Sequence, residues 1–303
     1  MSNINTATFA KALKPGVKKW FGMAYKEIPL QCSMVFNIET SDEAYEDDVE
    51  ATSFGLAAQK TEAGSVLYDA VSQGGTSRYL HATFGLGYKI SLEAIEDNKY
   101  DKLAKSYSRN LAFSMRQTKE VVHANILNRG FNSSYTGYDG SPLFATDHAT
   151  TAGNQANKAA TDAALSEAAL EDLCILIRKA ENSRGLKIHL RPKMLVVPPD
   201  SEFEAHRILK SSLRVGTDFN DTNALRDMQM FPEGAMTYDY LTDTNSWFVK
   251  TTAPTGLTGY QRRALTVTND NEHDTDNACF KATERYSAGW SDFRGVYGSD
   301  GDA

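Results

Sequence analysis

The run ISLEAIEDNKYDKLAKSYSRNLAFSMRQTKEVVHANILNRG, Ile90 to Gly130, frames the rest of the chain. No Pro or Gly interrupts it before Gly130. Leu103, Tyr107, Leu111, Met115, Thr118, Val122 and Ile126 follow one another at intervals of 4, 4, 4, 3, 4 and 4, one stripe of a 3.6-residue period. The spacing predicts a helix over 91–129 with Gly130 as its C-terminal cap. Roughly 30 residues at 1.5 Å each span about 45 Å, long for a globular domain. The other face carries Lys102, Lys105, Arg109, Arg116 and Lys119 against Asp101 and Glu120. It reads either as a solvated basic face or as one turned to an anionic partner.

Upstream lie two contrasting segments. Lys11, Lys14, Lys18, Lys19 and Lys26 precede the first acid, Glu27, with Phe9, Trp20 and Phe21 among them and a break at Pro15-Gly16. A surface helix and turn, or a basic arm on a partner or nucleic acid, both fit. From Glu39 to Glu50 there are then seven acids (Glu39, Asp42, Glu43, Glu46, Asp47, Asp48, Glu50) and no base. Gly/Ser/Thr-rich sequence continues to Ser77, holding the β-like run Val66-Leu67-Tyr68, and another follows at Tyr79 to Phe84. Such runs between glycine-bearing turns read as a long hairpin or two-stranded arm. A lone hairpin is marginal in water, so this arm is expected to dock elsewhere.

Downstream, Phe131 to Lys158 is loop-like, long enough to be functional or mobile. A helix from Ser166 to Asn182, a buried strand Pro192 to Val197, and a capping box Ser201/Glu204 opening a helix to Ser211 follow. Leu213 to Gly234 is irregular. Strand-like runs come at Met236–Leu241, Trp247–Lys250 and Tyr260–Val267, and the aromatic-rich segment Ala278–Tyr297 alternates in places. The fold class is α+β with a projecting arm.

Of 303 residues, 41% are hydrophobic and 23% charged, the composition of a packed chain of about two domains. A net charge of −7, from 32 basic and 39 acidic side chains, argues against a surface wholly given to nucleic acid. Cys32, Cys174 and Cys279 form no CxxC, which excludes zinc-finger and disulfide frameworks and suits a reducing compartment. No apolar run spans a membrane and no secretory signal opens the chain, so a soluble, intracellular protein is expected. Asp147-His148 is the tempting carboxylate–imidazole pair, one that could serve a metal or general base. Asp270 to Asp276 is as acidic as a calcium loop, but Thr275 and Lys281 stand where its Gly and Glu are needed. With no P-loop, GxGxxG or GxSxG motif, no cofactor, metal or catalytic activity is expected.

Several strings, taken in order, carry a resemblance. They are Ala44-Tyr45-Glu46-Asp47-Asp48-Val49, Glu93-Ala94-Ile95-Glu96-Asp97-Asn98, Asn128-Arg129-Gly130-Phe131-Asn132, Asp139-Gly140-Ser141-Pro142-Leu143-Phe144 and Thr146-Asp147-His148. Later come Leu195-Val196-Val197-Pro198-Pro199-Asp200-Ser201-Glu202-Phe203-Glu204 and Arg285 through Gly298. The chain resembles tailed-bacteriophage major capsid proteins of the Hong Kong 97-type fold, close to the Mu-like head-subunit group. That resemblance implies an N-terminal arm over 1–38, an extended β-hairpin E-loop over 39–90, and a peripheral domain over 91–159 with a spine helix. It also implies an axial domain over 160–266 and a C-terminal strand over 267–303 returning to the peripheral domain.

The implied function is an icosahedral shell of pentamers and hexamers around double-stranded DNA, in the virion, assembled in the host bacterial cytoplasm. The implied partners are further copies of the chain, portal and scaffolding proteins, decoration proteins, and the DNA itself without sequence preference. The expected intersubunit contacts are Glu43, Glu46, Asp47, Asp48 and Lys60. The expected lumen-facing bases are Lys11, Lys14, Lys18, Lys19, Lys102, Lys105, Arg109, Arg116 and Lys119. An encapsulin-type compartment shell is the alternative with the same fold. A metal-dependent hydrolase using Asp147 and His148 is the alternative of another class.

Overall fold

A computed structural model describes residues 21–27, 29–91, 93, 100–213, 221–272 and 277–301, the side chains of 100–103 excepted. Its strands are β1 (Asn37–Thr40), β2 (Tyr45–Ala51), β3 (Gln73–Leu80), β4 (Ala82–Ile90), β5 (His148–Thr150), β6 (Gly153–Gln155), β7 (Pro192–Val197), β8 (Ala235–Thr237), β9 (Trp247–Thr251), β10 (Leu257–Asn271), β11 (Ala278–Trp290) and β12 (Val296–Ser299). Its helices are α1 (Cys32–Val35), α2 (Tyr100–Asn128), α3 (Glu167–Arg178), α4 (Glu202–Lys210) and α5 (Ala224–Asp227), with a further helical run over 21–27. One sheet runs β1-β10-β11-β4 and a second β12-β9-β7-β8. The pairs β2-β3 and β5-β6 stand apart.

The second sheet is buried on both faces. In β7 only Lys193 escapes burial, so the strand reads as an unbroken apolar run rather than an alternation. Met194 and Val196 point one way, to Phe248, Val296, Ala124, Leu127 and Phe144. Leu195 and Val197 point the other way, to Trp247, Val249 and Tyr297 and to Leu170, Ile177 and Ile208 of α3 and α4. Each such side chain contributes about 1.5–3 kcal/mol on full burial. The Ser166 side chain accepts from Ala169 N and starts α3. Ser201 makes no such cap. Its hydroxyl bonds the Thr244 carbonyl while Glu204 pairs with Arg207, so the expected capping box is absent and α4 continues directly from a 3-10 turn.

Helix α2 lies between the two sheets, and its buried face is offset from the apolar stripe. Ala104, Ser108, Leu111, Ala112, Met115, Arg116, Lys119, Glu120, His123, Ala124 and Leu127 are buried, whereas Tyr107 is exposed. The stripe misleads because this inward face mixes alanine with charge, and those charges have partners. Lys119 Nζ donates to Glu284 at 2.8 Å and to Gln261. Glu120 accepts from the backbone N–H of Gln31 (2.6 Å) and Cys32 (2.9 Å) and from the Tyr238 hydroxyl (3.2 Å). It thereby caps α1 from a helix 88 residues away. The Arg116 guanidinium lies over the Tyr25 ring at 4.8 Å. Gly130 ends α2 without a left-handed φ. Its missing side chain instead admits Phe144, whose ring would lie 2.5 Å from any Cβ there.

Three expected boundaries move. Residues 21–36 are no free arm: Phe21, Cys32, Val35 and Phe36 are buried. Thr40 pairs with Gln261, and Ala82–Ile90 pair with β11, so both ends of the expected 39–90 hairpin are body strands and only 45–80 projects. The boundary at 266 falls inside β10, which pairs with β11 along its length, while β12 joins the second sheet beside β9. Residues 1–20 lie outside the described residues, with Lys11, Lys14, Lys18 and Lys19, as do 94–99 and 273–276.

Glu120→Ala leaves two backbone N–H groups without their acceptor, while the Tyr238 hydroxyl keeps its 3.1 Å bond to the residue-120 carbonyl, so stability should fall by about 2–4 kcal/mol in urea titration. His123 gives a pH test. Its Nδ1 donates to the Lys119 carbonyl at 2.7 Å and its ring lies between Phe36 and Tyr286. Burial pushes its pKa down to about 4. With the folded value below the unfolded one, the unfolded chain takes up the proton first, and stability is lost as pH drops from about 6.5 to about 4. His123→Gln should flatten that part of the pH profile relative to the parent chain.

Candidate assembly interface

The projecting arm is built from β2 and β3, paired antiparallel from Tyr45↔Leu80 to Ala51↔Gln73. It has three attachments to the body. At the root, His81 separates β3 from β4, with its ring nitrogens at 3.1 Å from Ser41 Oγ and 3.0 Å from Ser287 Oγ. Beside it, the buried Tyr79 shares a hydroxyl hydrogen bond with Ser291 and packs edge-on to Tyr260. At mid-length, the Glu50 carboxylate accepts from Tyr138 Oη (2.9 Å) and from Ser183 Oγ, and lies 3.5 Å from Arg294 Nη1. Gly75 lies flush on the Tyr138 ring, whose nearest atom would be 1.8 Å from a Cβ. Towards the tip, Asp69 pairs with Arg184 of the body at 2.6 Å.

Arg294 is a buried guanidinium held by several acceptors. It donates to the Glu181 carbonyl (2.8 Å), Gln155 Oε1 (3.1 Å) and Asp292 Oδ1 (3.1 Å). A buried charge is tolerable only when paired in this way. Burial raises the Asp292 carboxyl above its ordinary value, and the charge of Arg294 works against that rise. Next to this group the 131–158 loop is pinned rather than loose. The Asn157 side chain accepts from Ala145 N and donates to the Leu143, Phe293 and Val296 carbonyls.

His148 belongs to that pinned loop. Its partners are Asp139 (Nδ1 to Oδ2, 2.6 Å) and Asn157 (3.2 Å), and its ring stacks on Phe293 at 4.0 Å. Asp147 is exposed. The Asp147–His148 pairing is therefore corrected: neighbours in sequence diverge, and the histidine is closed by a carboxylate nine residues away. Burial works to raise Asp139, and the hydrogen bond and charge of His148 outweigh it, so that carboxyl sits below its ordinary value. Among the described residues no group of three or more His, Cys, Asp or Glu side chains could hold a metal ion. Among them, too, no helix is long and apolar enough to cross a membrane.

The tip, residues 52–72, has no strand or helix. The β-like run Val66-Leu67-Tyr68 is coil, because no partner strand lies beside it. Tyr68 is 93% exposed, Leu56 83% and Leu67 76%, with Phe54 and Val66 exposed beside them. Apolar groups of this size in water on one segment mark a contact surface. Of the expected contact residues, Glu43 and Lys60 are exposed and Glu46 and Asp48 half-buried. Asp47 is already held, by two 2.7 Å bonds from Arg78 across the hairpin. Of the expected lumen set, Arg116 and Lys119 are withdrawn, since both are buried in the body. Lys105 is exposed, and Arg109 is exposed and paired with Glu27 at 3.0 Å. The Lys102 side chain lies outside the described residues. Sequence reasoning missed Arg294, Asn157, Arg184 and Asp69. An arginine set directly between Phe293 and Gly295 in the aromatic-rich C-terminal run was the available signal for the first of these.

A body of two sheets braced by one helix, with an arm that leaves its apolar tip in water, is the architecture that the Hong Kong 97-type resemblance implies. The family described as phage capsid protein matches residues 74–299. Among solved structures, one of Mycobacterium phage Patience matches at a TM-score of 0.56 and 11% identity, covering 97% of this chain and 88% of the other. The capsid of an empty GTA particle matches at 0.55 and 12%, covering 90% of each. A virus-like particle from Pyrococcus furiosus matches at 0.54 and 12%, covering 93% and 97%. At these identities the likeness is one of fold. No curated protein matches. The chain belongs to the phage capsid protein family, and it is a major capsid protein, a structural component of the virion.

Gly75→Ala should displace β3 from Tyr138 and swing the arm without unfolding the body. The expected result is a soluble subunit with parental far-UV circular dichroism and reduced shell yield by sedimentation. Adding Tyr138→Ala should recover part of that yield by making room for the methyl group.

Proposed function

We propose that this subunit forms pentamers and hexamers that close into an icosahedral shell around the double-stranded DNA of a tailed phage. In that shell each arm lies on a neighbouring subunit. The observation that carries this reading is the arm's tip: apolar, without regular structure, and covered by nothing in its own chain among the described residues. Head-to-tail contacts of this kind build closed rings. The exposed acid Glu43 at the arm's root suits a basic group on the neighbour, such a pair contributing about 0–1 kcal/mol.

Portal and scaffolding proteins, and decoration proteins where present, complete the partners, with assembly in the host bacterial cytoplasm. Contact with DNA is diffuse and electrostatic, through exposed bases on the outer side of α2 such as Lys105. The family match favours a phage head over an encapsulin-type compartment. Portal and large terminase genes beside this one agree with the head, and a cargo enzyme gene with the compartment.

Replacing residues 52–72 by a short Gly-Ser link should leave a folded subunit that assembles poorly. Electron micrographs showing normal closed shells from that protein would overturn the arm's role.

A further inference from the structure

The base of the tip is closed by Thr52 and Ser72, which exchange backbone and side-chain hydrogen bonds of 2.9 Å, and beyond them one polar node ties the tip to the body. Asp69 Oδ2 accepts from Arg184 Nη1 at 2.6 Å and from the Gly55 N–H at 2.7 Å, while Oδ1 accepts from Ala70 N at 2.9 Å and Arg184 Nη2 at 3.2 Å. Arg184 Nη1 also donates to the Ser53 carbonyl at 3.1 Å. One guanidinium and one carboxylate thus tie the outgoing limb (Ser53, Gly55) and the returning limb (Asp69, Ala70) to each other and to the body. Arg184 itself is held still. The Asn182 side-chain oxygen accepts from Arg184 N and Leu186 N, and Gly185 takes a φ of +78° that favours glycine. The carbonyls of Asn182 and Ser183 accept from Gln155 and Thr151 of the pinned loop.

The node joins only the polar groups of the tip. Phe54, Leu56, Val66, Leu67 and Tyr68 remain in solvent. We propose that Arg184 is a positioning residue for assembly: from a rigid turn of the body it clamps both limbs of the tip and so presents the tip's apolar side chains to a second copy of this chain. This rests on the reading that the arm docks on a neighbour, and adds what readies it. Fixing a coil segment before it binds removes ordering entropy from the association step.

The test uses the full chain with Arg184→Gln, Asp69→Asn and Arg184→Lys. In the unassembled subunit, hydrogen–deuterium exchange should show raised uptake over 53–71 for the first two variants, with uptake over β7 and β9 unchanged. Their critical concentration for shell formation should rise by about fivefold, the upper range for one exposed pair. Arg184→Lys keeps the charge without the fork and should fall between them and the parent. Uptake that stays at the parental level in both Arg184→Gln and Asp69→Asn overturns the proposal. Raised uptake with equal or easier assembly also overturns it, since the node would then restrain the arm rather than present it. Replacement of 52–72 separates the two ideas. Normal shells from that chain remove the arm's role altogether, whereas failed assembly there keeps the arm's role and lets the exchange and concentration data decide that of Arg184.

Discussion

The body depends on charges buried on one helix face being paired. Helix α2 carries Arg116, Lys119, Glu120 and His123 inward, a set that no isolated helix would bury. An unpaired ion in such a place costs several kcal/mol. The helix can bury them because the first sheet and the segment leading into it supply partners. Glu284 of β11 meets Lys119, and the start of α1 meets Glu120. These pairs do more than neutralise charge. Apolar contacts hold a helix against a sheet at many rotations, but a carboxylate aimed at two backbone N–H groups holds it at one. The register of α2, and with it the angle between the sheets, follows from that demand.

The same logic recurs at the other end of the molecule with weaker bonds. Arg294 is buried and held mainly by body groups, so its reach to Glu50 costs little further desolvation. Arg184 is partly exposed, and its pairing with Asp69 is screened by water. Between the deep brace and the shallow one, the arm passes from a fixed root to a tip that is ordered but easily released. This gradient follows from burial alone: the farther the hairpin extends from the body, the less apolar surface surrounds its ties.

Much of this was legible in the sequence wherever a local pattern decides the outcome. The apolar run Pro192–Val197 is a strand because both its faces are covered. The acidic, glycine-rich stretch after Glu39 projects because it has too little to bury. Of the uninterrupted run before Gly130, Tyr100–Asn128 is helical because nothing in it breaks a helix. Other features depend on pairings between distant residues and left no local trace. The face α2 buries is set by Glu284, Gln31 and Tyr238, not by its own apolar stripe, so Tyr107 was misplaced. His148 looked paired with Asp147 because they adjoin, whereas the loop folds Asp139 onto it. Asn157, Arg184 and Arg294 each sit in an unremarkable context, and their importance comes from carbonyls and carboxylates that only the fold brings near. Lys119 and Arg116 resembled a solvated basic face for the same reason.

A shell built from such subunits needs contacts that are weak one at a time. A strongly apolar arm would bind whatever it met first and trap misassembled rings, because each wrong contact would be slow to release. This arm divides the work. Its acids carry the like charge of a chain at −7, which discourages arms from clustering with one another. Its few apolar tip residues supply attraction only when they reach a surface that fits them. In a ring of the proposed kind closure multiplies the effect: if every subunit both gives an arm and receives one, an interaction too small to hold two subunits together becomes decisive once the last gap is filled.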